Sequence, residues 1–328
     1  MPIADAAPNL PRSLQTLMAD ARESLERWER EPIDFDDEQE AAWLHDWTLR
    51  LSRGDVDEDL YWKCVAEDCE REGDWEGAIA AYDKVLAAAD SHPFSPHANI
   101  GVILSLLGRH EEALERYRLA VNQLATEEVP IFYRVALADE ACQLLSMGRA
   151  RAAQRVVEAA MRTFEEETED GLGLARTVTL RACCALECKD LTTALEALNA
   201  AWSILEDLQQ VYPGGSGVHH MAALWWRAEA KRRQLAGETT TEIEAWEQAV
   251  KEVKAAAEGW DRLGSDVNVM RRLQNLAEAY ERHGRTEEAT RSRREAETLR
   301  AKWHLPAASA PSPAPACIWR RMVSRFGW

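Results

Sequence analysis

Glycine and proline are scarce in this chain, 16 and 12 among 328 residues, and the prolines gather toward its two ends. A body so poor in helix breakers, and rich in Ala, Leu, Glu and Arg, points away from a turn-rich sheet protein and toward helix. No run of alternating β-branched residues lies between turn signals, so no strand is assigned. No apolar stretch reaches 18 residues, and a membrane-spanning helix is not expected. Met1 to Leu17 shows no basic region followed by an apolar one, so no secretion signal is expected either. Seven cysteines occur, an odd number, and free thiols in a reducing cytoplasm are the simplest account of them. Cys183, Cys184 and Cys188 cluster, but no His or second Cys pair adds metal-ligand spacing, so they read as small apolar residues. His219 and His220 follow the Gly-rich PGGSG segment, which lacks the Lys-Ser/Thr of a phosphate loop and reads as an inter-repeat connection. No nucleophile, base and acid can be assembled into a catalytic set; neither an enzyme, a metal nor a cofactor is expected.

Positive charge is also short. Lys and Arg number 39 against 57 acids, a net charge of −18. The last 24 residues hold Arg320, Arg321 and Arg325 and no acid, so the rest of the chain stands at −21. Such a field repels nucleic acid and anionic lipid and favours basic partners; the plainer reading is solubility alone.

What is present is a repeat. GDWEGAIAAYDKVL at 73–86 aligns with GRHEEALERYRLAV at 108–121 and GRTEEATRSRREAE at 284–297. Weaker copies begin at Gly148, Lys189 and Gly237. Each copy follows another helical stretch, so the unit is helix, tight turn, helix. The turn positions lie 35, 40, 41, 48 and 47 residues apart. That fits a unit of about 34 residues with variable connections. Gly73, Gly108, Gly148 and Gly284 suit a left-handed helix C-terminus. Ala66, Gly101, Ala141, Ala182, Ala230 and Ala277 would let the second helix approach the first, with Ala78, Ala113, Ala153, Ala194 and Ala289 opposite them. Tyr82, Tyr117, Val157, Leu198 and Trp246 would then fill the space between neighbouring pairs. A single pair cannot bury both faces, so pairs must stack.

This pattern resembles the tetratricopeptide repeat family over roughly residues 59–303. Trp62 and Trp226 sit at the family's Trp position, Ile100 and Gly101 at its Leu-Gly pair, and Leu276, Ala277 and Tyr280 match the same helix in the last copy. The resemblance implies an all-α, right-handed solenoid of about six helix-turn-helix repeats. It also implies a concave groove, lined by the first helix of each repeat, that takes a peptide. Carried over residue by residue, the groove positions include Lys63, Asn99, Arg176, Thr179, Arg227, Lys231, Arg271, Gln274 and Asn275. Family members that bind chaperone tails use a clamp of Lys, Asn, Asn, Lys and Arg. Here Lys63 and Asn99 match, while Glu67, Val135 and Asp139 replace the rest; two acids there would repel a terminal carboxylate.

Outside the array, 1–12 reads as a flexible start and 13–58 as a capping helix pair, with apolar faces at 13–30 and 37–52. The array runs to 304. Residues 305–316 form a Pro/Ala/Ser linker. Residues 317–328 place Ile318, Trp319, Met322, Val323 and Phe326 on one helical face and Arg320, Arg321 and Arg325 on the other, ending at Trp328. Three sites of docking remain open for that peptide: a partner's groove, its own acidic body, or an anionic membrane surface, the last weak for so short a segment. Most of the thirteen Trp fall on periodic apolar positions and read as core. Adjacent Trp225 and Trp226 cannot both face inward, which leaves one for a binding surface. The chain therefore reads as a cytoplasmic, non-enzymatic adaptor for a protein or peptide. The alternatives are a regulatory subunit of a multi-protein bacterial system, whose tail docks on its own acidic body or on a membrane surface, and last a divergent enzyme.

Overall fold

The computed structural model describes residues 10–30, 38–88, 94–125, 130–164, 170–258 and 263–306. Among them regular structure is α-helix throughout. Two helices come first, α1 (Arg12–Arg30) and α2 (Glu38–Ser52). Six hairpins follow, as the repeat predicts: α3 (Glu58–Glu72) with α4 (Trp75–Ala87), α5 (Phe94–Leu106) with α6 (His110–Leu124), and α7 (Pro130–Ser146) with α8 (Ala150–Thr163). Then come α9 (Gly171–Glu187) with α10 (Leu191–Val211), α11 (Ser216–Ala236) with α12 (Thr239–Ala257), and α13 (Leu263–Arg282) with α14 (Thr286–Lys302). Among the described residues the chain is an all-α succession of helix hairpins.

Every hairpin turns by one device. The turn residue takes positive φ, between 70° and 78° at Gly73, Gly108, Gly148, Gly237 and Gly284. The N–H of the next residue donates to the carbonyl five positions back at 2.8–2.9 Å, as in Asp74 to Cys69 and Arg285 to Tyr280. This closes the orphan carbonyls of the first helix and reverses the chain in two residues. The fourth hairpin does the same with Lys189, at φ 61°, where no glycine is present.

Close approach of the paired helices follows from the small residues. Ala66, Ala141, Ala182, Ala230 and Ala277 are fully buried, as are Ala78, Ala113, Ala153 and Ala194 opposite. Gly101 is the tightest point: a Cβ there would meet Tyr117 Cζ at 2.8 Å. The fifth hairpin departs from the pattern. Glu242 occupies the small-residue position, 2 % exposed, and is neutralised by Arg282 and by His283 Nε2 at 2.9 Å. A buried carboxylate is tolerated only with such partners.

The chain divides into two compact units, Met1–Pro96 and His97–Trp328. The first copy of the repeat therefore belongs with the two leading helices. In the first unit, Leu14, Met18 and Ala21 of α1 pack with Leu51, Val56 and Cys64. The α1 N-terminus is held by Asp68 of α3, which accepts from Ser13 N at 3.0 Å and from the Ser13 hydroxyl. A carboxylate there satisfies orphan N–H groups and complements the helix dipole. In the second unit, a continuous core runs from Leu114 through Leu144, Val157 and Leu180 to Leu198 and Ala228.

Candidate functional site

The first helices of the last four hairpins, α7, α9, α11 and α13, carry polar residues at helical spacing. On α11, His220, Arg227, Lys231 and Gln234 share one face; on α13, Asn268, Arg271 or Arg272, Asn275 and Glu278 do so. Between these helices lies a cleft of ≈ 170 Å³. Its walls include Arg227, Lys231 and Gln234 of α11, Asn275, Glu278 and Arg282 of α13, Cys183 and Glu187 of α9, and Trp246 of α12. Three positions carried over from the repeat pattern, Arg227, Lys231 and Asn275, thus meet in one place.

The other carried-over residues are distributed differently. Arg176 is buried at 4 % exposure and paired with the equally buried Asp139 at 2.8 Å. Its charge is compensated inside the fold rather than offered on the surface. Thr179 is buried and its hydroxyl donates to the Ala175 carbonyl. Lys63 lies in the first unit, bridged to Asp59 at 2.8 Å. Asn99 is half-buried on α5. Trp319, Arg320, Arg321, Met322, Arg325, Phe326 and Trp328 lie outside the described residues.

Beside the cleft is a group that the repeat pattern does not single out. Asn268 is 1 % exposed and Arg272 3 % exposed. Both polar atoms of the Asn268 amide, Arg272 Nε and Arg227 Nη1 are buried without a hydrogen-bond partner. Arg271 and His220 complete the group, half-buried by their own surface yet walled in by the surrounding helices. Burial first, together with the Arg227 charge, lowers Arg271 to about 10. Arg272 is lowered further, by burial and then by Arg227 and Arg271. At about 10, Arg271 remains charged at neutral pH. His220 is lowered to about 3, by burial and then by Arg272 and Arg176, so it is neutral. Arg271 feels the Cys142 side chain of α7, and Arg272 those of Cys142 and of Cys183 on α9.

His219 and His220 were expected in a connection and are helical instead. α11 starts at Ser216, because Gly214 at φ 77° and the Gly215 N–H to the Tyr212 carbonyl close the loop early. His219 pairs with Glu252 at 2.7 Å. Trp225 and Trp226 both enter one aromatic group with Trp202, at centroid distances of 4.5 to 5.8 Å, and Trp225 Nε1 donates to the Leu198 carbonyl. Trp202, from the neighbouring hairpin, supplies the second surface that a single helix lacks. Cys183 and Cys184 are buried and Cys188 exposed. Burial raises the Cys142 thiol to about 11 and pushes Cys184 upward as well. No helix among the described residues is long and apolar enough to cross a membrane.

No family model and no curated protein matches the chain. Among solved structures it is similar to a tetratricopeptide repeat protein from Parabacteroides merdae, with TM-score 0.49 and 11% identity over 90% of this chain and 98% of that one. It is also similar to BtubC (BKLC) from P. vanneervenii, with TM-score 0.40 and 17% identity over 91% of this chain and 96% of that one.

Proposed function

We propose that the chain is a non-enzymatic scaffold that binds a peptide or protein segment along the first helices of its second unit. The observation that carries this reading is the meeting of Arg227, Lys231 and Asn275 in one cleft between α11 and α13. Long polar side chains on adjacent helices, above an apolar floor that includes Trp246, offer the mix of directed hydrogen bonds and buried area that peptide recognition uses. A stacked array presents such a surface without closing over it. We place the protein in the cytoplasm, since its cysteines are free among the described residues.

Affinity capture from the native host with the full chain and with an Arg227→Glu/Lys231→Glu variant tests this. A partner retained by the former and lost by the latter, with helical content unchanged by circular dichroism, is the expected result. Equal capture by both would move the binding face elsewhere.

A second role is favoured by charge. The body stands at −21 and the segment 317–328 at +3, with Ile318, Trp319, Met322, Val323, Phe326 and Trp328 as its apolar side chains. A tail of this kind can dock on its own body, and a basic partner can displace it from the acidic exterior. A synthetic 317–328 peptide is expected to bind a 1–304 chain at low salt and to release as ionic strength rises; no binding at low salt refutes the docking.

A further inference from the structure

The negative charge of the chain is unevenly placed. Residues 1–96, the first unit, hold 24 acids against 9 bases, a net of −15, while residues 97–328 hold 33 acids against 30 bases. Seven of the first unit's acids, with Arg30 as the one base among them, fall in 29–40, where α1 ends and α2 begins. At that same end the helix pair leaves an apolar stripe uncovered. Along α1, Leu14, Met18 and Ala21 are buried, but Leu25 and Trp28, the next positions of the stripe, are only half-buried. On α2, Leu51 and Thr48 are buried, Leu44 is half-buried and Trp47 is 41 % exposed. The Trp28 ring meets that of the exposed His45 at 6.4 Å, so the two uncovered ends lie together. Leu60, Tyr61 and Cys64 of α3 close over the opposite end, against Leu14, Met18 and Leu51.

An apolar stripe bordered by acids fits a helix with a broad apolar face and basic flanks. Residues 317–328 have that composition: Ile318, Trp319, Met322, Val323 and Phe326 at helical spacing, Arg320, Arg321 and Arg325 between them, and no acid. Buried Trp and Phe supply area, and the planar, weakly hydrated guanidinium suits carboxylates beside aromatic rings. We propose that 317–328 of one copy docks on the α1–α2 face of a second copy, so that copies join head to tail. The tether decides against the same chain. Residues 307–316 reach about 33 Å at full extension. In the second unit α13 packs on α12, α12 on α11, α11 on α9, α9 on α7 and α7 on α6. At about 8–10 Å a step, that path is about 40–50 Å, longer than the tether. The inference rests on the docking of 317–328 proposed above, gives it a receiving face, and moves it from the same chain to a neighbour. A head-to-tail contact is heterologous and continues from copy to copy unless one half is missing.

The test is light scattering of the full chain over a wide concentration range, at physiological ionic strength, where repulsion between two acidic copies is screened. A mass above that of one chain, rising with concentration, is expected, and excess synthetic 317–328 peptide should return it to the monomer. Trp47→Glu on the face and Trp319→Glu/Phe326→Glu on the tail should each weaken the association by about tenfold or more. The tail variant changes no residue of the helices and tests the contact whether or not Trp47→Glu folds. Mixed together, the two variants should recover one contact, the intact tail of one on the intact face of the other, and stop at a dimer. A full chain that stays monomeric throughout would overturn the second-copy assignment; binding of the synthetic peptide to the 1–304 chain would then keep the docking reading, and its absence would refute both. Association unchanged by Trp47→Glu, or mixed variants that form no dimer, would overturn the α1–α2 assignment alone.

Discussion

At the scale of the residue, three positions are tightly constrained by their surroundings. Lys189 adopts the left-handed conformation that glycine fills at the other five turns. A residue with a Cβ is strained there by about 1–2 kcal/mol, partly offset by the greater freedom glycine has when unfolded. Lys189→Gly should therefore stabilise the chain by about 1 kcal/mol, read as a higher denaturation midpoint in urea. Gly101 is the converse case, because a Cβ would meet the Tyr117 ring at 2.8 Å. Gly101→Ala should cost about 1–3 kcal/mol, and Tyr117→Leu in the same chain should recover part of it. His220 is held neutral, its pKa lowered to about 3 from an ordinary value of 6.5. Below 6.5 the unfolded chain takes up a proton that the folded chain refuses, so stability is lost as pH falls from about 6.5 toward 3 and is fully present above. His220→Gln should flatten that part of the stability profile, measured as urea midpoints at pH 7.5 and pH 5.

At the scale of the element, α1 depends on another helix for its start. Asp68 of α3 accepts from the Ser13 backbone and hydroxyl, and the apolar face of α1 closes over Leu51 and Cys64. Asp68→Ala removes the cap, at a cost of about 1 kcal/mol. Amide exchange should speed up in the first turn of α1 more than elsewhere; uniform change across the first unit would refute the local role. The fifth hairpin shows how far one element can depart from its repeat. Glu242 replaces the small residue, and the geometry survives because Arg282 and His283 of α13 reach back to it. An ion cluster joining α12 to α13 therefore stands at a position that alanine fills on the second helix of the other hairpins. That same junction carries the cleft. The unusual packing and the polar groove residues share Arg282.

At the scale of the whole molecule, the division at Pro96 and His97 groups the first hairpin with the two leading helices. Asp68 and Lys189 lie in different units and share no bonding partner. Their effects should add: a chain carrying Asp68→Ala and Lys189→Gly should show the sum of the two single changes within about 0.5 kcal/mol. A larger deviation would mean that the two units report on each other. Net charge of −18 is likewise a whole-molecule quantity and a poor guide to any single surface. In the second unit Arg227, Arg271 and Arg272 lie near enough to depress one another's pKa, while Arg176 is paired with the buried Asp139.

The sequence by itself determined the helices, the six turns and the small-residue seam, because these depend on local rules. A glycine at a helix end, an alanine every turn and a 3.6-residue apolar period act within one hairpin, and each is visible wherever it occurs. Arg227, Lys231 and Asn275 were named through the resemblance to the repeat family, and the fold brings them to one cleft. Burial and pairing across hairpins were decided by the tertiary structure alone. Arg176 and Asp139 are 37 positions apart and Arg272 is 45 from Arg227, so no local pattern shows that one pair is matched and the other is left without a counter-charge. Whether a polar side chain on a helix faces solvent, a partner or an unmet recess is fixed by which helices stack against it, and that is a property of the array rather than of any repeat within it.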